Sequence, residues 1–458
     1  MTRRFPSFLL VFGLWATALT GRAEQPDTLT SGSPWLQRDR FPIRVRSLFM
    51  ATDNQPGLTD AYAWGVGVGL GYQTPRLFNH LQLGGTAFFR ANVLSSDLAA
   101  RDPQTNAPNR YEVGLFDLQR PGSHALISRI EELYGRYHLA KKSSVTVGRQ
   151  LPKSPFINAQ DGRLSPTFAE GVSLEWGEWA NTRVQVDYWR RMAPRSTVGW
   201  HGIGESIGLY PVGVDGSGRP SQYAGNTRSA GIFQLGLTHK LGLVVLQVWD
   251  THVANVFNLA YVRADATLPG SGAGKWIAGL QLAREWATGN GGNADEAKAY
   301  MAPQNRSTIG SGRIGFQALH WAMHLNATRI TAEGRFLMPR EWGREPFYTF
   351  LFRERNEGFG DVIAFSTNLI LMPVKRLKGE ASVGYYQLPD VKNVALNKYG
   401  MPAYLQAHLS VNYRIVNGLD AQLVYLYKAA AGNTYDSARY VYNKVGMNQL
   451  NVMLNYHL

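Results

Sequence analysis

The 458-residue chain contains no cysteine. That excludes disulfides, thiolate metal sites, cysteine nucleophiles and a lipid-modified cysteine anchor. Beyond the first two dozen residues no apolar run reaches helix length, so nothing there reads as a transmembrane helix. Acid is also scarce, with 33 Asp and Glu against 47 Lys and Arg. The cations are scattered singly rather than gathered in a run or motif, so nucleic acid is not a partner they suit. Helical periodicity is missing outside the leader, and no four-strand repeat of fixed period marks a propeller. What remains is period-two alternation and an abundance of Gly, Tyr and Trp, at 48, 22 and 12 residues.

Met1–Ala23 opens on Arg3 and Arg4, runs through a short apolar stretch and ends on the small residues Gly21 and Ala23. This is the pattern of a secretory signal peptide. This sets a signal peptide over 1–23 apart from a mature chain over 24–458, which the strand pattern below makes a single transmembrane β-barrel domain. Loss of the leader removes Arg3, Arg4 and Arg22 and no acid, so 47 bases become 44 against 33 acids, a net +11.

In Tyr62–Tyr72, Tyr62, Trp64, Val66, Val68, Leu70 and Tyr72 share one face, and Ala63, Gly65, Gly67, Gly69 and Gly71 share the other. Period two over eleven residues is a strand, and its aromatic ends with an aliphatic middle fit a bilayer crossing between two interfacial girdles. The final stretch repeats the pattern, with Leu450, Val452, Leu454, Tyr456 and Leu458 opposing Gln449, Asn451, Met453, Asn455 and His457. Leu405–Tyr413 and Leu419–Tyr427 alternate in the same way.

Eighteen strands are predicted, near 43–50, 62–72, 81–91, 127–139, 143–150, 171–176, 182–191, 230–239, 242–250, 255–265, 275–286, 308–318, 320–330, 362–372, 377–387, 402–414, 418–428 and 447–458. Short links follow even strands and long links follow odd ones, as periplasmic turns and external loops do in outer-membrane barrels. Counting Phe347–Phe352 as a strand would break both the even number and the alternation, so it is placed inside the seventh external loop. Two links fit less well: Thr251–Ala254 is short for an external loop, and Ala266–Gly274 is long for an internal turn.

With the large apolar face toward lipid, the opposite parity puts Arg44, Arg46, Arg90, Arg136, Arg183, Asp187, Arg191, Arg263, Arg313, Glu380, Arg414 and Lys428 toward the lumen. A lipid-facing arginine near the midplane costs roughly 2–4 kcal/mol, which enforces that parity. A lumen lined by Arg90, Arg136, Arg183, Arg263, Arg313 and Arg414 attracts anions. Arg149 is the exception, since it shares the lipid-facing parity of Val145 and Val147. The nearby Pro152 suggests that the strand has ended before it, a bulge being the alternative.

The long link Leu151–Glu170 carries Pro152, Pro155 and Pro166, which stiffen it, and it is charged through Lys153, Asp161 and Arg163, with Arg149 at its entry. The stretch Gly148–Pro166, followed by Phe168 and Gly171, resembles the third-loop region of the OprD-like outer-membrane porins. Gly334–Phe350, Asn397–Pro402 and the ending Tyr442–Leu458 resemble a branch of the same family. Leu458 departs from it, since such barrels commonly end in Phe. The resemblance implies an all-β fold, an 18-stranded antiparallel transmembrane β-barrel with inward-folded external loops, the third and seventh forming a constriction. It implies selective uptake of small carboxylate-bearing solutes such as amino acids, peptides or organic acids along a basic ladder. The constriction residues it implies are Arg149, Lys153, Asp161, Arg163, Ser165, Arg340 and Arg344, with Glu341 and Glu345 beside the last two. Asp161 and Arg163 either pin the loop as a pair or touch solute directly.

Other chemistries find weak support. Gly270–Lys275 mimics a phosphate loop, but Pro269 stands at the leading glycine and Trp276 replaces the Ser or Thr. His320 and His324 sit four apart on one predicted strand, too far for one metal without further ligands. Gly289–Glu296 lacks the spacing of a dedicated calcium site. No cofactor and no catalytic residue is expected. An outer-membrane hydrolase barrel, a non-selective general porin and a soluble secreted β-protein are the competing classes. The expected partners are outer-membrane lipids, small anionic solutes and, during biogenesis, the barrel-assembly machinery, in a monomer or weak homo-oligomer.

Overall fold

The computed structural model describes residues 41–160 and 163–458. The expected signal peptide, Asp161 and Gly162 lie outside the described residues.

Among the described residues, eighteen long strands follow in order: β1 (Ile43–Asp53), β2 (Ala61–Gln73), β3 (Leu81–Ser95), β4 (Ile127–His138), β5 (Ser144–Gln150), β6 (Phe168–Trp176), β7 (Thr182–Ala193), β8 (Ile232–Leu241), β9 (Val244–Val253), β10 (Phe257–Pro269), β11 (Lys275–Ala287), β12 (Arg306–Gln317), β13 (Trp321–Ile330), β14 (Val362–Val374), β15 (Leu377–Gln387), β16 (Tyr404–Val416), β17 (Leu419–Ala430) and β18 (Met447–His457). Each pairs antiparallel with its sequence neighbours. β1 closes on β18, with Arg44 opposite His457 and Asp53 opposite Asn448. Closure leaves no sheet edge, which is the condition for strands to cross a bilayer. A two-residue strand, His201–Gly202, adds to the end of β7.

The expected alternation of links holds. Loops at one end comprise loop 1 (54–60), loop 2 (96–126), loop 3 (151–167), loop 4 (194–231), loop 5 (254–256), loop 6 (288–305), loop 7 (331–361), loop 8 (388–403) and loop 9 (431–446), and the other end carries short turns. Phe347–Phe352 lies in loop 7, not in a strand. The anomalous long turn disappears because β10 runs on to Pro269, leaving a link of 270–274. His320 is corrected: β13 starts at Trp321, so His320 lies in the preceding turn and does not share a strand with His324.

The outer face is apolar, as the parity required. Leu70, Leu133, Leu280, Leu325, Phe365 and Leu409 are all exposed, and bilayer hydrocarbon covers such a belt. The glycine face of β2 makes room inside. A Cβ at Gly67 would come within 2.3 Å of the Phe88 ring, and one at Gly65 within 2.7 Å of Leu164 from loop 3. The glycines thus allow inward rings and a loop to press directly on the backbone of the wall.

Candidate functional site

The external loops fold into the barrel and bury an apolar core there. Phe156 and Ile157 of loop 3, Ile203 and Ile207 of loop 4, and Phe336, Trp342 and Phe347 of loop 7 join wall residues such as Trp189, Tyr261 and Ile309. Phe156 packs edge-on against Tyr261 at 5.3 Å and Phe347 at 5.8 Å. Such pairs hold best in this offset geometry. A second apolar group, Leu115 and Phe116 of loop 2 with Leu164 of loop 3, packs on Leu48, Met50 and Phe88.

Loops 3 and 7 interlock through main chain. Asn158 donates its N–H to the Trp342 carbonyl at 3.1 Å and its side-chain amide to the Arg344 carbonyl at 2.8 Å, while its Oδ1 accepts from the Arg344 N–H. Thr167 Oγ1 donates to the Glu341 carbonyl at 2.7 Å. The resemblance singled out these two loops, but loops 2, 4 and 8 are equally involved. The backbone N–H groups of Gly208 and Tyr210 both donate to the Glu341 carboxylate at 3.0 Å. Arg195 donates to the Arg340 carbonyl, and Trp342 Nε1 donates to Ser206 Oγ. Arg335 binds carbonyls of Val214 and Asp215 in loop 4 and of Ala395 in loop 8. No period or motif marks loop 4; the Asn397–Pro402 segment was the one visible sign of loop 8.

The charges of loop 7 are strongly shaped by burial. Glu357 pairs with Arg340 and with Lys398, the latter at 3.4 Å. Burial alone would push the Glu357 carboxyl up, yet these two cations hold it below its usual range. Burial pulls the Lys398 ammonium down against the attraction of Glu357. Burial pushes the Glu345 carboxyl up to about 7, although the Asn356 N–H donates to it.

The residues expected at a constriction do not gather at one place. Arg163 is nearly buried, its carbonyl accepting from Arg46 at 2.6 Å, and its guanidinium occupies the space a Cβ at Gly114 would need. Ser165 accepts from Arg129 at 2.7 Å and donates to Glu131. Lys153 reaches Glu175 at 3.5 Å. Arg344 bonds Gln160 of loop 3 and stacks on Phe350, whereas Arg340 is enclosed between Glu357 and the Tyr399 ring. Arg149 is a correction. β5 extends through Gln150, and Arg149 stands opposite Leu133, which is 58% exposed on the outer wall. Opposed residues of a pair share a face, so Arg149 points outward and forms no part of a constriction. Arg191 is corrected with it. A bulge between Glu170 and Gly171 brings Arg191 opposite Glu170, itself opposite Arg149, and so turns Arg191 outward.

The six ladder arginines sit at different heights. Arg90 is 2% exposed and donates to the Thr197 carbonyl of loop 4. Arg263 and Arg313 lie mid-strand, both over the ring of Tyr348, which descends from loop 7 and donates to Asp265 at 2.6 Å. Arg136, Arg183 and Arg414 lie toward the short-turn end. They meet Thr146, Glu175 and Asp420 respectively. Among the described residues no carboxylate is within ion-pair reach of Arg136 or Arg313.

A closed eighteen-strand antiparallel barrel with an apolar outer belt, a charged interior and loops folded inside is a transmembrane β-barrel of the bacterial outer membrane. Its fold is that of a group of solved outer-membrane channels. It is similar to OccAB3 of Acinetobacter baumannii, with a TM-score of 0.71, 13% identity and coverage of 91% of this chain and 98% of that one. OpdK of Pseudomonas aeruginosa matches with a TM-score of 0.68 and 15% identity over 91% and 98%. OccK8 (OprE) of the same organism matches with 0.69 and 13% over 92% and 98%. No protein-family model and no curated protein sequence matches the chain.

Proposed function

We propose that the chain is an OprD-like porin, a channel for passive, selective diffusion of small carboxylate-bearing solutes across the outer membrane. The observation that carries the reading is the mid-barrel placement of Arg313 beside Arg263 under Tyr348, with no carboxylate among the described residues in ion-pair reach of Arg313. A cation held in a narrow interior raises the local concentration of anions and favours their passage. Arg136, likewise without a carboxylate in reach among the described residues, continues the bias toward the short-turn end. The fold shared with outer-membrane channels supports a channel over a barrel hydrolase, and one of them, OpdK, was crystallised with vanillate, a carboxylate.

Planar-bilayer recording of the folded protein tests both levels of the proposal. Single-channel conductance with reversal potentials favouring chloride is expected. Absence of channels would end the porin reading, and cation preference would end the carboxylate reading while leaving the pore. In Arg136→Ala/Arg313→Ala the reversal potential should move toward cations. Arg163→Ala should lower carboxylate uptake in loaded liposomes while the barrel still shows heat-modifiable migration. Unchanged uptake would assign Arg163 to loop scaffolding.

A further inference from the structure

The outward turn of Arg149 and Arg191 leaves charge where a lipid-facing wall should have none. Glu170 answers part of it, at 2.9 Å from Arg149 and 3.9 Å from Arg191. Arg190, the extra residue of the bulge, is exposed, and among the described residues no acid is within ion-pair reach of it. Trp200 of loop 4 completes the group. The Arg149 guanidinium lies over its ring at 4.7 Å, its carbonyl accepts from Arg191 at 2.9 Å, and its indole N–H donates to the Ile130 carbonyl on the outer wall. Three arginines thus stand beside an indole with Glu170 as the one carboxylate in ion-pair reach among the described residues, while Glu205 of loop 4 is engaged by the Gly202 N–H.

The position of this patch along the barrel identifies its environment. It lies at the long-loop end, where β5 and β7 stop and β6 begins. Tyr188, outward and 45% exposed, sits two and three residues nearer the membrane centre than Arg190 and Arg191. Tyr188 stands opposite Val172 and Arg191 opposite Glu170, so Arg191 lies two residues of strand rise, about 7 Å, farther out, with Arg190 just inside it. Tyrosines of a barrel girdle mark the boundary between hydrocarbon and headgroups, so the arginines reach the headgroup layer of the outer leaflet. The bulge that aims them is built in. At Gly171, opposite it, a Cβ would come 1.9 Å from the Tyr188 carbonyl oxygen, so no other residue fits there without moving the backbone.

We infer that Arg149, Arg190, Arg191 and Trp200 form a binding site for the phosphate-bearing headgroup of an outer-leaflet lipid. Guanidinium forks suit phosphate oxygens through paired charge-assisted hydrogen bonds, and the indole gives the sugar or acyl part an interfacial surface. Glu170 holds Arg149 and Arg191 apart and oriented, leaving Arg190 as the free arm. The inference rests on the barrel's membrane setting and not on the identity of any transported solute.

Native mass spectrometry of the detergent-purified, folded protein tests it, with added lipid A (a bisphosphorylated glycolipid), its monophosphorylated form, an uncharged lipid of equal acyl length, and inorganic phosphate as probes. Bisphosphorylated lipid should bind most tightly, and Arg190→Ala/Arg191→Ala should weaken it about thirtyfold. Lys replacements at both positions should restore part of the loss. Heat-modifiable migration of each variant confirms that the barrel has folded. Equal binding by the variant, or no preference for lipid A over the uncharged lipid, would overturn the site. Phosphate binding as tight as the lipid's would reduce it to a general anion site and also overturn it. Loss of a dimer rather than of lipid in the variant would assign the patch to a second copy of this chain and overturn the lipid reading.

Discussion

Two arcs of the barrel wall present opposite kinds of polarity to the interior. From β1 to β7 the inward residues are ionic: Arg44 pairs with Glu131 at 3.0 Å, Arg129 with the same Glu131 at 3.2 Å, and Asp187 takes hydrogen bonds from Ser173 and Gln185. From β13 to β18 they are largely amides and hydroxyls. Asn326 donates to Asn368 at 2.8 Å and to Ser366 at 3.1 Å, Asn368 donates to Ser382, and Asn451 donates to Gln449. The ionic arc reaches for loops, since Arg129 binds Ser165 and the carbonyls of Pro194 and Thr197, and Arg90 binds Thr197 as well. The amide arc mostly satisfies itself across neighbouring strands. Long charged side chains therefore serve as struts that fix loops 3 and 4 inside the barrel, and short neutral ones finish the wall where less loop backbone needs holding.

Breaking the ionic arc should have the larger effect. Glu131→Ala would leave the buried Arg129 and the half-buried Arg44 without their shared carboxylate, a loss of about 3–5 kcal/mol. It is read as a lower temperature for loss of heat-modifiable migration. Asn326→Ala in the amide arc removes bonds to Ser366 and Asn368 and the acceptor of Arg313, and should cost about 1–3 kcal/mol in the same assay. If Asn326→Ala proved the more damaging, the division of labour between the arcs would be wrong.

A gentler probe addresses the loops alone. Burial pushes the Glu345 carboxyl up to about 7 in the folded loop against 4.5 for an ordinary glutamate, and its Oε2 is buried without a hydrogen-bond partner among the described residues. A folded-state value raised in this way favours the protonated form, so its stabilisation is complete below about 4.5 and is lost as pH rises through about 7. Limited proteolysis of loop 7 should accelerate between pH 5 and pH 8, and Glu345→Gln should flatten that dependence. A wild-type rate independent of pH would contradict the protonated loop.

Much of the frame was legible in the residues. Alternation located all eighteen strands to within a few positions, because side chains of a barrel wall must face either hydrocarbon or interior, and that choice writes a period of two into the chain. The same parity flagged Arg149 as pointing the wrong way, although the guess that its strand had already ended was mistaken: β5 includes it. Arg191 was misassigned because a bulge adds one residue without any mark in composition, and every parity beyond it on that strand end is inverted. Loop 4 escaped notice for a related reason. Its partners, such as Glu341 for the Gly208 and Tyr210 amides, lie more than a hundred residues away.

The sequence by itself therefore determined the barrel: its strand number, its closure as an even antiparallel sheet, the apolar outside and the basic excess. These follow from local periodicity and the cost of placing charge in lipid. Tertiary structure alone decided which charges meet. Whether an arginine lines the interior, braces a loop as Arg90 and Arg340 do, or faces the headgroup layer as Arg149 and Arg191 do depends on loop paths and a single bulge. Those are set by contacts between residues that are distant in the chain.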